Sequence, residues 1–209
     1  MTTSRLVTTP HGDARIHVDR AKSPVTTLVL GHGAGGGVTA RDLAVLAKRL
    51  PPQGVSVFRV EQPYRVAGRR VPSSARILDE SWLSVVNSLR PQTPLVVGGR
   101  SSGARVACRT ARTLGASGCL ALAFPLSPPG KPHKSRADEL DGTGVPTLVV
   151  QGDRDSFGRP DAFPDTVDMA VVPGADHGFV TLKRGDLSQE EALGVLVEAV
   201  LEWITREVA

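Results

Sequence analysis

Ser101 stands in Gly99-Arg100-Ser101-Ser102-Gly103, directly after the apolar run Leu95-Val96-Val97 that ends at Gly98-Gly99. A G-x-S-x-G pattern carries little by itself, but here a strand runs into it and a helix runs out of it. That context describes a tight strand-to-helix turn that lifts a serine hydroxyl above the edge of a sheet. The flanking glycines leave room where any side chain would meet the neighbouring strand or helix.

A serine hydroxyl is a weak nucleophile at neutral pH and needs a base. Of the five histidines, His11 and His17 fall in a hairpin and His133 in a proline-rich stretch. His177 lies in Gly174-Ala175-Asp176-His177-Gly178-Phe179, between the last strand and the last helix, on the same sheet edge as Ser101. The orienting acid should come from another strand end, and Val149-Val150 is followed by Gln151-Gly152-Asp153-Arg154-Asp155. Asp153 suits a local turn bond, whereas Asp155 lies far enough out to reach back to the imidazole. Asp176 is a third candidate, placed awkwardly by its adjacency to His177. The chemistry that Ser101, His177 and Asp155 offer together is acyl transfer.

Acyl transfer needs donors for a developing oxyanion. The Ser102 N–H is one. The Ala34 N–H is the other, in the loop Gly31-His32-Gly33-Ala34-Gly35-Gly36-Gly37, with His32 expected to shape that loop through hydrogen bonds. The same loop fits a rival pattern. Gly31-x-Gly33-x-x-Gly36, followed by Glu61 at the end of the next strand, matches a dinucleotide fingerprint. That reading leaves Ser101, Asp155 and His177 unexplained, and a helix starting near Thr39 comes late for a pyrophosphate.

The elements that must position these residues alternate along the chain. Strand-like runs occupy 25–30, 55–60, 95–97, 119–124, 147–150 and 169–172. Segments with helical spacing run over 39–50, 73–89 and 102–114, the last closed by Gly115. Ser188-Gln189-Glu190-Glu191 is a capping box that opens a final helix. Apolar strands alternating with helices predict an α/β fold, a mostly parallel sheet covered on both faces. Strands near 5–9 and 14–19, joined through Pro10-His11-Gly12-Asp13, make the sheet begin as an antiparallel hairpin. The stretch from Pro125 to Gly144 holds four prolines and one short helical segment, Ser135 to Leu140. It is too small for a cap domain and serves as a wall of the site.

The 209 residues fit one domain over 1–209, with 40% hydrophobic and 22% charged residues. No apolar stretch approaches the ~20 residues of a membrane span, and the start Met1-Thr2-Thr3-Ser4-Arg5 lacks the apolar run of a secretory leader. A cytoplasmic location is therefore expected, with no membrane partner. The net charge of +4 comes from dispersed arginines, with Arg65, Arg69 and Arg70 as the nearest approach to a cluster, and this argues against a nucleic-acid partner. Cys108 and Cys119 have no metal-ligand spacing and read as small buried hydrophobes.

With these features in place the chain resembles the α/β-hydrolase superfamily over nearly its whole length. More narrowly, it is similar to the compact, lidless branch related to dienelactone hydrolase and the testis-expressed-protein type. Three stretches carry the narrower likeness: His32-Gly33-Ala34-Gly35-Gly36, Glu61-Gln62-Pro63-Tyr64, and Phe124 through Pro132 (Phe-Pro-Leu-Ser-Pro-Pro-Gly-Lys-Pro). The resemblance implies a second strand that is antiparallel, a triad of Ser101, Asp155 and His177, and neither metal nor organic cofactor. One departure stands out: dienelactone hydrolases proper carry a cysteine nucleophile, and position 101 is serine.

The expected activity is hydrolysis of esters or thioesters of small soluble molecules. Transfer to an acceptor other than water, or a non-catalytic scaffold of the same fold, are the alternatives. Tyr64, the one tyrosine, either donates to substrate or packs against the long loop. Arg100 either binds an anionic group of the substrate or pairs with a surface carboxylate.

Overall fold

The computed structural model describes residues 2–208; the expectations that touch Met1 and Ala209 lie outside the described residues. The chain alternates β1 (Thr3–Thr9), β2 (Gly12–Asp19), β3 (Thr26–Gly31), α1 (Arg41–Arg49), β4 (Val55–Glu61), α2 (Pro63–Val66) and α3 (Ala75–Asn87). It continues through β5 (Leu95–Arg100), α4 (Ser102–Thr110), β6 (Gly118–Leu122), α5 (Ala137–Asp141), β7 (Thr147–Gly152), β8 (Asp168–Val172) and α6 (Gln189–Glu207).

All eight strands join one sheet in the order β1-β2-β4-β3-β5-β6-β7-β8. β2 pairs antiparallel with both β1 and β4, and from β4 onward every pairing is parallel. The hairpin turns on Pro10 and His11, between the paired Thr9 and Gly12. β3, β5 and β6 have every residue buried or nearly so, as strands covered on both faces must. One core layer lies under α3 and α4 and includes Phe58, Tyr64, Trp82, Val97 and Phe124. The other lies under α1 and α6 and includes Leu28, Leu46, Leu120, Phe179 and Trp203.

Several boundaries differ from the sequence reading for local reasons. Instead of reaching Leu114, α4 stops at Thr110, and turns carry the chain on to Gly115, whose φ of 61° takes the left-handed cap. Pro72, Ser73 and Ser74 precede α3, so its first helical residue is Ala75. β6 ends at Leu122, because Ala123 turns to φ 45°. α2 is a single turn with Pro63 in its first position, too short to show a period. The expected capping box is complete: Ser188 Oγ accepts from the Glu191 N–H while Glu191 Oε2 accepts from the Ser188 N–H. α5 is the one helix in the 125–144 stretch, so this connection carries no cap domain.

Cys108 and Cys119 are both buried with their sulfurs 3.9 Å apart, as free thiols. Their mutual contact and their burial hold the Cys119 thiol well above its ordinary pKa. Among the described residues no helix is long and apolar enough to cross a membrane.

Candidate active site

The turn at Ser101 is set by close packing. A Cβ on Gly103 would lie 2.4 Å from the Gly31 carbonyl oxygen, and one on Gly99 would lie 2.6 Å from the same atom. α4 therefore approaches β3 and β5 more closely than any alanine allows, and the chain between them must reverse within one residue. Ser101 takes φ 53° and ψ −112° to do so. That conformation costs a non-glycine residue roughly 1–3 kcal/mol and is kept only where the surroundings impose it.

Three loops bring partners to this serine. His177 Nε2 lies 3.0 Å from Ser101 Oγ, and His177 Nδ1 lies 2.8 Å from Asp155 Oδ2. The carboxylate can only accept, so Nδ1 carries the hydrogen and the Nε2 lone pair faces the serine hydroxyl. Asp155 is fully buried, and a buried carboxylate needs donors. The Gln151 amide donates to Oδ2 at 2.9 Å and the Phe157 N–H donates to Oδ1 at 2.8 Å. Asp153 is not among the partners of His177. Asp176 plays another part. Its Oδ1 accepts from the Gly178 and Val180 N–H groups at 2.7 and 2.9 Å, which shapes the loop carrying His177.

The glycine-rich loop is also fixed. Buried His32 donates through Nδ1 to the Gly33 carbonyl at 2.8 Å, and its Nε2 accepts from the Gln62 N–H at 3.1 Å. The Gly33 carbonyl and the Ala34 N–H belong to one trans peptide and point in opposite directions. Holding the first therefore aims the second. Tyr64 donates its hydroxyl hydrogen to the Ala34 carbonyl at 3.0 Å and is itself buried, so it braces the glycine-rich loop, and it shares a core layer with Leu126 and Leu140 of the 125–144 stretch. Its only hydroxyl hydrogen is thereby committed within the protein. Arg100 pairs with a carboxylate, but with the buried Asp42 instead of a surface one.

Sequence reasoning missed Gln151 and Phe157. Gln151 offered a signal, an amide at the end of a fully apolar strand. It clamps Phe124 through two bonds and Gly158 through another besides its bond to Asp155. Phe157 places its ring 4.3 Å from the His177 ring, tilted by 32°, a neighbour no local pattern reveals.

Comparison with known proteins gives the same frame. The family model of the alpha/beta hydrolase domain matches residues 24–205. The chain belongs to the alpha/beta hydrolase family. Similar solved structures of this alpha/beta hydrolase include a lidless serine hydrolase from Xanthomonas campestris, 21% identical with a TM-score of 0.72, covering 97% of this chain and 94% of that one. A serine hydrolase homologue from Coxiella burnetii is 20% identical with a TM-score of 0.74, over 100% and 99% of the two chains. A dienelactone hydrolase from Anabaena variabilis is 14% identical with a TM-score of 0.74, again over 100% and 99%. At these identities the likeness is one of fold. Among curated protein sequences, none matches the chain.

The features that suggested a dinucleotide are used otherwise in this hydrolase. α1 begins at Arg41, well past Gly36, and Glu61 faces Arg15 at 3.5 Å and His17 at 3.9 Å. Among the described residues no three His, Cys, Asp or Glu side chains are grouped to hold a metal ion.

Burial holds the His32 imidazole below the ordinary histidine pKa, and its bond to the Gly33 carbonyl offsets this only in part. The folded state therefore prefers neutral His32, and the unfolded chain takes up a proton first, near pH 6.5. Stability should be full above that pH and decline as pH falls toward the lower pKa of the folded state. Thermal melts between pH 7.5 and 5.5 should show this slope, and His32→Asn should flatten it. Part of the slope should remain, because burial also lowers the pKa of His17. An unchanged slope in the variant would assign the effect elsewhere.

Proposed function

We propose that this protein is a serine hydrolase that cleaves carboxylic esters or thioesters of small soluble molecules through an acyl-enzyme. The observation that carries this reading is the unbroken series Asp155–His177–Ser101, with bonds of 2.8 and 3.0 Å, ending on a serine held at positive φ. A protein that used this fold only as a scaffold has no need for that alignment.

Each group then has one role. His177 Nε2 takes the hydroxyl proton as Ser101 Oγ attacks the acyl carbon, and ionised Asp155 steadies the imidazolium. The Ser102 and Ala34 N–H groups, neither of which donates to another atom among the described residues, receive the negative oxygen of the tetrahedral intermediate. Collapse of the intermediate expels the alcohol or thiol, which leaves with the proton held by His177. Water then gives a proton to His177 and its oxygen to the acyl carbon, and Ser101 is regenerated. The short 125–144 wall favours short acyl groups, since it supplies no broad apolar cover for a long chain.

A fluorophosphonate probe should label the wild type and not Ser101→Ala. Asp155→Asn should lower kcat by about 10³- to 10⁴-fold, whereas Asp153→Asn should stay within roughly tenfold. Across p-nitrophenyl acetate, butyrate, octanoate and palmitate, kcat/KM should be highest for the short acyl groups, without a jump above the micellar concentration. Folded wild-type protein that neither takes the label nor hydrolyses any of these esters would overturn the reading.

A further inference from the structure

Arg100 immediately precedes Ser101, yet no step of the hydrolysis above employs it. Its side chain is only 16% exposed, and its three nitrogens turn toward three different segments of the chain. Nε lies 3.3 Å from Oδ2 of Asp42, in the first turn of α1, whose side chain is fully buried and has no other ion-pair partner among the described residues. Nη2 donates to the backbone carbonyl of His177 at 2.8 Å. Nη1 passes beneath the glycine-rich loop, where a Cβ on Gly33 would stand 3.0 Å from it.

Two of these contacts, together with Arg100 itself, fall on the three segments whose spacing decides the chemistry. Gly33 precedes the proposed oxyanion donor Ala34, His177 is the proposed base, and Arg100 is bonded to the nucleophile in sequence. Among the described residues, the His177 carbonyl has no other hydrogen-bond donor. A planar guanidinium can serve a carboxylate and a carbonyl at once in fixed geometry, and a lysine ammonium cannot span both. Asp42 supplies the negative charge that lets a cation sit in so enclosed a place. It also anchors the far end of the glycine-rich loop, since it lies just inside the helix that follows that loop.

We infer that Arg100 is a positioning residue and Asp42 its counter-ion: one guanidinium fixes His177 and the Gly33–Ala34 peptide relative to Ser101. The inference rests on the hydrolase reading for its effect on rate, but not for its effect on His177. Misplacement of reacting groups by about an ångström costs around 100-fold in rate. Loss of this clamp should therefore lower kcat while leaving KM nearly unchanged.

The test uses Arg100→Lys and the double variant Arg100→Met with Asp42→Asn, which removes both charges and avoids stranding a buried carboxylate. Kinetics with p-nitrophenyl acetate should show kcat lowered by about 10- to 100-fold in the folded double variant. KM should stay within about twofold, and Arg100→Lys should recover part of kcat. The ¹⁵N shifts of the His177 ring should report one Nδ1–H tautomer in the wild type and an averaged ring in the double variant. Wild-type kcat in the folded double variant, or a loss confined to KM, would overturn the inference. If the wild type hydrolyses no ester, the hydrolase reading fails and the ring shifts decide alone: averaging in the double variant supports the clamp, and unchanged shifts refute it.

Discussion

The closeness of α4 to β3 and β5 governs the whole C-terminal edge of the sheet. Glycine at 99 and 103 lets backbone meet backbone at Gly31, with a separation that admits no Cβ. Ser101 is the residue left to absorb the reversal, and its strained φ is the local consequence. The hydroxyl is thus exposed by the packing of a helix against a sheet, and it does not depend on the conformation of a free loop. The remaining site residues are arranged around a point that the core has already fixed.

Two fully buried carboxylates border that point, and their surroundings differ. Asp155 is hydrogen-bonded, whereas neither oxygen of Asp42 has a hydrogen-bond partner among the described residues, and its one ion-pair partner there is Arg100, 3.3 Å away. Asp155 is surrounded by neutral donors: the His177 ring, the Gln151 amide and the Phe157 N–H. None cancels its charge, so the carboxylate remains available to a cation that forms beside it, as the His177 imidazolium would in the proposed acyl transfer. Asp42 faces a permanent cation, Arg100, and its burial pushes the carboxyl pKa up against the pull of that neighbour. The first arrangement suits a charge that comes and goes, and the second suits a fixed support.

Much of this was legible in the residues alone. The alternation of apolar runs and helical periods read out the parallel sheet, and the turn Pro10-His11 read out the antiparallel start. Ser101, His177 and Asp155 could be picked from three strand ends because each follows an apolar run in a short polar loop. What stayed hidden depends on contacts between loops. Nothing around Tyr64 shows that its hydroxyl ends on the Ala34 carbonyl. Arg100 resembles a surface residue in sequence, because its partner Asp42 lies in a different helix and becomes buried only when α1 packs on the sheet. Gln151 was the one hidden residue with a visible cue, since an amide at the end of an apolar strand must find partners inside the protein.

The central claim is that Ser101 carries the acyl group in the course of turnover. The protein should be mixed with p-nitrophenyl acetate, quenched in acid during the first turnovers, and digested for mass analysis. The expected result is an acetyl group on Ser101 that disappears once the substrate is exhausted. An acetyl group carried by another residue during turnover, or steady ester cleavage with Ser101 never modified, would contradict it.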